Sequence, residues 1–84
     1  MELKELILSE VKRLNLKQGY IWKFQTYNSF ISKRSIPLYE FLCIMEELCN
    51  EKVFEKEQDY IINGNIIYRY RLTSDGEKLI WHNY

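Results

Sequence analysis

The run YRYRL at residues 68–72 sets Arg69 and Arg71 two positions apart, so in extended chain both guanidinium groups leave the same side. Two such groups on one face suit either phosphate oxygens or the carboxylates of a neighbouring strand. A second basic pair, Lys33 and Arg34, stands just before Ser35, Ile36 and Pro37. Other chemistry is thinly supplied. His82 is the single histidine, and no carboxylate accompanies it in sequence. Cys43 and Cys49 fall on opposite sides of one apparent helix, which suits neither a shared disulfide nor a metal, and two reduced thiols are expected. No glycine-rich phosphate loop occurs. Asp75 and Glu77 read as charges favoured by a helix N-terminus rather than as a catalytic pair. No enzymatic activity, cofactor or metal is expected.

At 84 residues the chain is expected to form a single domain over 1–84 with a small core. A hydrophobic content of 46% and an aromatic content of 15% suffice for folding. The opening MELKELILSEVKR is charged every few residues, and no apolar run is long enough for a membrane span, which points to a cytoplasmic protein. Net charge is zero but unevenly placed. Residues 1–37 carry seven bases and three acids (+4), residues 38–59 two bases and seven acids (−5), and residues 60–84 three bases and two acids (+1).

The elements that would position these groups follow from periodicity. Leu3, Leu6, Ile7, Val11 and Leu14 share one helical face, predicting an amphipathic helix over 2–14 that Asn15 or Gly19 ends. Tyr20, Trp22 and Phe24 alternate as in a strand, while Tyr27, Phe30 and Ile31 sit at helical spacing. A short extended piece followed by a short helix near 26–33 is expected, the alternative being a helix from Gly19. These aromatics are expected in the core rather than as a base-stacking platform. Pro37 breaks the chain and suits a first helical turn, after which Leu38, Phe41, Leu42, Met45, Leu48 and Cys49 form the apolar face of a helix over 38–51. Two β-rich runs flank Asn63-Gly64, a strong hairpin signal over 53–72. Thr73 or Ser74 then caps a closing helix, with Ser74 and Glu77 at capping-box spacing and Gly76 lowering its intrinsic stability.

This order of elements, with LCNEKVFEKE at the junction of long helix and first strand and YRLTSDGEKLI at the close of the hairpin, resembles the winged helix-turn-helix superfamily. The resemblance implies an α+β fold: a three-helix body, a C-terminal two-stranded β-hairpin wing and a short closing helix. It places Tyr70 and Leu72 on the wing's inner face, with Arg69 and Arg71 outward. It also implies a small transcriptional regulator that binds duplex DNA, as a dimer because one short module makes few contacts. In that reading Lys33, Arg34 and Ser35 position the long helix, Tyr39 reaches a base edge or sugar, and Arg69 and Arg71 hold phosphate.

Two features oppose that reading. The long helix carries Glu40, Glu46, Glu47 and Glu51, and its acidic face of Glu40, Cys43, Glu46, Glu47 and Asn50 would equally suit a basic protein partner or a second copy, without DNA. Hairpin register also matters. A two-residue Asn63-Gly64 loop sets Lys56 opposite Arg71 and Gln58 opposite Arg69, an open basic stripe. A three-residue loop from Ile62 to Gly64 sets Glu55 opposite Arg71, Glu57 opposite Arg69, Phe54 opposite Leu72 and Tyr60 opposite Ile66. The second is preferred on packing, and it cancels much of the wing's charge.

Overall fold

The computed structural model describes residues 2–83, arranged as α1 (Leu3–Arg13), β1 (Ile21–Trp22), α2 (Phe24–Ser32), α3 (Leu38–Asn50), β2 (Phe54–Ile62), β3 (Asn65–Leu72) and α4 (Ser74–Asn83). The fold is α+β, four helices with a three-stranded antiparallel sheet in the order β1-β3-β2. A two-stranded sheet was expected, and the third strand is the short extended piece. Ile21 lies opposite Arg71 and Trp22 opposite Tyr70. The Gly19 N–H donates to the Leu72 carbonyl at 2.8 Å, and the Leu72 N–H to the Tyr20 carbonyl at 2.9 Å, so the open edge of β3 is satisfied at its base. Gly19, at φ +89°, turns the chain into this strand, and no helix starts there. Helix α2 begins at Phe24, two residues earlier than its apolar spacing suggested.

α1, α2 and α3 all end by one device. Asn15, Ser35 and Lys52 take left-handed φ values of 56°, 55° and 66°. The next residue in each case, Leu16, Ile36 or Val53, donates its N–H back to Val11, Ile31 or Leu48 at 3.1, 3.0 and 2.9 Å. This is the Schellman closure, with an apolar residue on each side of the returning bond. All six of those apolar residues belong to the core or pack against it. Each helix end is therefore fastened by the same burial that fastens its face.

The core gathers Ile7, Leu8 and Val11 from α1, Tyr27, Phe30 and Ile31 from α2, Phe41, Met45 and Leu48 from α3, Ile80 from α4, and Trp22, Phe54, Tyr70 and Leu72 from the sheet. Trp22 stands at its middle, with ring centroids of Phe30, Phe41, Tyr27 and Phe54 at 5.5, 5.7, 6.3 and 6.4 Å. Of the expected core aromatics, Tyr20 and Phe24 are half-buried against this cluster and the other three are enclosed. The buried Tyr27 hydroxyl donates to the Tyr68 carbonyl at 2.7 Å, joining α2 to β3.

Both candidate hairpin registers occur, one in each half. Near the turn Ile62 lies opposite Asn65, and Asn63 and Gly64 take φ values of 50° and 81°, a two-residue loop with both central residues left-handed. Near the base Phe54 lies opposite Leu72, Glu55 opposite Arg71 and Glu57 opposite Arg69. The register shifts between Gln58 and Tyr60, so Asp59 is the extra residue of a bulge. Tyr60 therefore faces Ile67, not Ile66. The tight turn demands one alignment, burial of Phe54 and Leu72 demands the other, and the bulge absorbs the difference.

Closing helix α4 is capped by Thr73, whose Oγ1 accepts the Gly76 N–H at 2.8 Å. The expected Ser74 and Glu77 box does not form, because the Glu77 carboxylate instead accepts the Gln18 N–H at 2.6 Å. Gly76 is needed for close approach: a Cβ there would fall on the Val53 carbonyl oxygen, 2.9 Å from its carbon and 3.0 Å from Leu72 Cδ1.

Candidate nucleic-acid interface

Ion pairing decides which charges face outward unopposed. On the hairpin's outer face Arg69 Nη2 meets Glu57 at 3.0 Å, Arg69 Nη1 meets Asp59 at 3.6 Å, and Arg71 Nη2 meets Glu57 at 2.7 Å. Both arginines project from the side opposite Tyr70 and Leu72 and are held by the hairpin's own carboxylates. Glu55, although in register with Arg71, is not the one that binds it. The diagonal partner Glu57 reaches both guanidinium groups, as strand pleating permits.

The acidity of α3 is reduced in a similar way, two lysines from distant elements meeting three of its four carboxylates. Lys4 on α1 bonds Glu51 at 2.7 Å and Glu47 at 3.3 Å, and Lys56 on β2 bonds Glu46 at 2.6 Å. Those hydrogen bonds, to Glu51 and Glu46 first, hold both ammonium groups above the ordinary lysine range. Glu40 has no ion pair among the described residues. Asn50 and Cys43 are exposed on the same outer face. Cys49 is half-buried, and burial above all pushes its thiol up to about 11, so it stays protonated at neutral pH. Among the described residues no cluster of His, Cys, Asp and Glu could hold a metal, and no helix is long and apolar enough to cross a membrane.

Lys33, Arg34, Ser35 and Tyr39 form one corner at the α2–α3 turn. Lys33 is the C-terminal cap of α2 and is exposed. Arg34 lies with its guanidinium carbon 4.1 Å over the Phe30 ring and donates from Nη1 to the Phe30 carbonyl at 2.9 Å, which fixes its guanidinium head on α2 while leaving the residue exposed. Ser35 supplies the left-handed closure, and Tyr39 is 69% exposed in the first turn of α3. Neither Lys33 nor Arg34 pairs with a carboxylate among the described residues, and no hydrogen bond or ion pair joins this corner to Arg69 or Arg71. The sequence-selected bases therefore fall into two separate sets, one compensated and one not.

The corner continues into a groove of about 380 Å³ between the last turn of α1 and α2, lined by the apolar Leu14, Trp22 and Phe30 and by the polar Glu10, Arg13, Gln25, Thr26, Ser29, Lys33 and Arg34. Its one carboxylate, Glu10, accepts from Arg13 Nε at 2.8 Å and Nη2 at 3.1 Å. That contact first, then the nearby Arg34 and Lys33, holds the Glu10 carboxyl below the usual range. Charge sums over 1–37, 38–59 and 60–84 average this feature away: no Asp or Glu occurs from Val11 to Tyr39, a stretch holding Lys12, Arg13, Lys17, Lys23, Lys33 and Arg34.

An apolar patch lies at the hairpin tip, where Tyr60, Ile61, Ile62 and Ile66 are exposed, Ile61 at 59%. Beyond the bulge neither face of the ribbon reaches the core. Compared with known proteins, the chain matches no family model, no curated protein and no solved structure.

Proposed function

We propose that the chain is a small winged helix-turn-helix domain that binds duplex DNA through its α2–α3 corner, as a transcriptional regulator acting in pairs. The order of helix, short strand, two helices, hairpin and closing helix supports this reading. The observation that carries it is the uncompensated corner: Lys33 and Arg34 stand exposed beside the exposed Tyr39, while the α3 carboxylates that would repel a phosphate chain are mostly held by Lys4 and Lys56. Lys33 and Arg34 take backbone phosphates, the Ser35 hydroxyl adds a donor, and Tyr39 reaches a sugar or base edge. Arg69 and Arg71 join only by exchanging Glu57 and Asp59 for phosphate; these residues are half-buried and Glu57 serves both arginines, so the exchange costs more than the loss of a single exposed pair, which is worth under about 1 kcal/mol.

The test is binding of a labelled mixed-sequence duplex across a salt series. Association at about 50 mM salt that weakens steeply as salt rises is expected, and Lys33→Gln with Arg34→Gln lowers it about tenfold or more. No association at about 50 mM ends the proposal.

A protein-contact module without DNA binding is the second reading, favoured by the apolar hairpin tip together with the outer face of Glu40, Glu46, Glu47 and Asn50. It expects concentration-dependent self-association that Ile61→Asp with Ile66→Asp abolishes, measured by sedimentation. A wild-type chain that stays monomeric at every concentration removes the tip as a self-contact.

A further inference from the structure

We infer that the groove between α1 and α2 is a phosphate track, carrying the backbone of the same duplex past the corner and along the outer side of α2. This rests on the DNA reading and adds a surface to it. Three observations converge. First, the groove holds Arg13, Lys33 and Arg34 against Glu10 alone, and both oxygens of that carboxylate are engaged by Arg13. Second, Gln25, Ser29 and Lys33 recur at four-residue spacing with Thr26 beside them, so one face of α2 presents a line of donors. Third, the surrounding chain from Val11 to Tyr39 has no carboxylate side chain at all.

Basic groups interleaved with short hydroxyl and amide donors are the set that contacts phosphodiester oxygens. Gln25, Thr26 and Ser29 are exposed and add donors without adding positive charge. An acidic protein segment would be served by the bases alone; a line of neutral donors between them fits oxygens that recur along a strand. Arg13 is paired with Glu10 just as the hairpin arginines are paired with Glu57 and Asp59, but the groove adds Lys33 and Arg34, which have no ion pair among the described residues. The charge available for a polyanion therefore lies on the α1–α2 side of the molecule.

The experiment inserts a negative charge into the groove with Ser29→Glu and, separately, Gln25→Glu, both at exposed helical positions, and follows duplex binding by anisotropy across a salt series. The track predicts at least a tenfold loss at about 50 mM salt for each variant and a salt slope shallower by about one counterion. Arg69→Gln, whose charge is already spent, should change binding less than either. Circular dichroism and the thermal midpoint certify folding, and Gln25→Glu stands in if Ser29→Glu fails that check. Unchanged affinity and slope in a folded groove variant, while Lys33→Gln still weakens binding, overturns the track and leaves the corner. A larger loss for Arg69→Gln than for either groove variant also overturns it. No binding by the wild-type chain overturns both proposals. Displacement of duplex by polyglutamate at equal charge reassigns the groove to acidic protein and overturns the phosphodiester assignment.

Discussion

Three residues with side chains end helices where the backbone favours glycine. Asn15, Ser35 and Lys52 hold the left-handed position that closes α1, α2 and α3. Asn is the best tolerated of the three, since its short polar side chain visits this region, whereas for an ordinary L-residue the conformation costs roughly 1–2 kcal/mol. Lys52 is exposed, and its carbonyl, which accepts from Thr73 Oγ1 at 2.5 Å, would remain in a glycine variant. Relief of strain outweighs the added freedom of the unfolded chain, so Lys52→Gly should stabilise the protein by about 0.5–1 kcal/mol. A urea midpoint that moves up at constant m-value checks this. A midpoint that moves down would mean that the Lys52 side chain contributes a contact larger than the strain.

Gly76 lets α4 lie directly against the backbone of Val53, the residue before β2. On helix propensity alone Gly76→Ala should gain about 1 kcal/mol. This contact reverses that sign, because the new methyl would collide with the Val53 carbonyl, a backbone group already bonded to the Thr73 N–H at 3.1 Å. Such a group cannot rotate aside. Gly76→Ala should therefore cost about 2 kcal/mol or more, read as a lower thermal midpoint, and a rise in that midpoint would refute the close packing of α4. The hairpin offers a parallel case. Its turn chemistry was legible in Asn63-Gly64, and its base pairing was legible in Phe54 and Leu72. The two signals implied alignments one residue apart, which looked like a choice until the bulge at Asp59 accommodated both.

Taken as a whole, the molecule keeps several groups protonated that would lose protons more readily in the unfolded chain. Burial chiefly pushes the Tyr27 hydroxyl up to about 12 from an ordinary 10, with Tyr60 and Asp59 adding to it. Tyr70 moves the same way, again mainly through burial. Lys4 and Lys56 are raised by their carboxylate bonds. In each case the unfolded chain releases its proton first as pH rises, so it binds fewer protons than the folded chain and stability falls with pH. That contribution is complete below about pH 10 and is lost on the way towards 12. Glu10 works in the opposite sense: its lowered carboxyl stabilises above the ordinary glutamate range, and that stabilisation is lost as pH falls through it. A thermal midpoint that drops between pH 10 and 12 is expected, more gently in Tyr27→Phe, while a level midpoint across that window would show that these hydroxyls are not buried.

Sequence by itself determined the helices, the hairpin and most of the core, because periodicity, Pro37 and Asn63-Gly64 act over a few residues and bias the backbone wherever the chain goes. It also set Lys33, Arg34, Ser35 and Tyr39 close together at one turn, since near neighbours in sequence stay together in any fold. Only the tertiary structure decided that residues 21–22 join the sheet as its third strand, that Lys4 reaches Glu47 and Glu51, that Lys56 reaches Glu46, and that Arg69 and Arg71 share Glu57. The reason is geometric. An ion pair forms over a few ångströms, so whether a charge stays available for a partner depends on which distant element packing brings beside it, and local pattern carries no record of that distance.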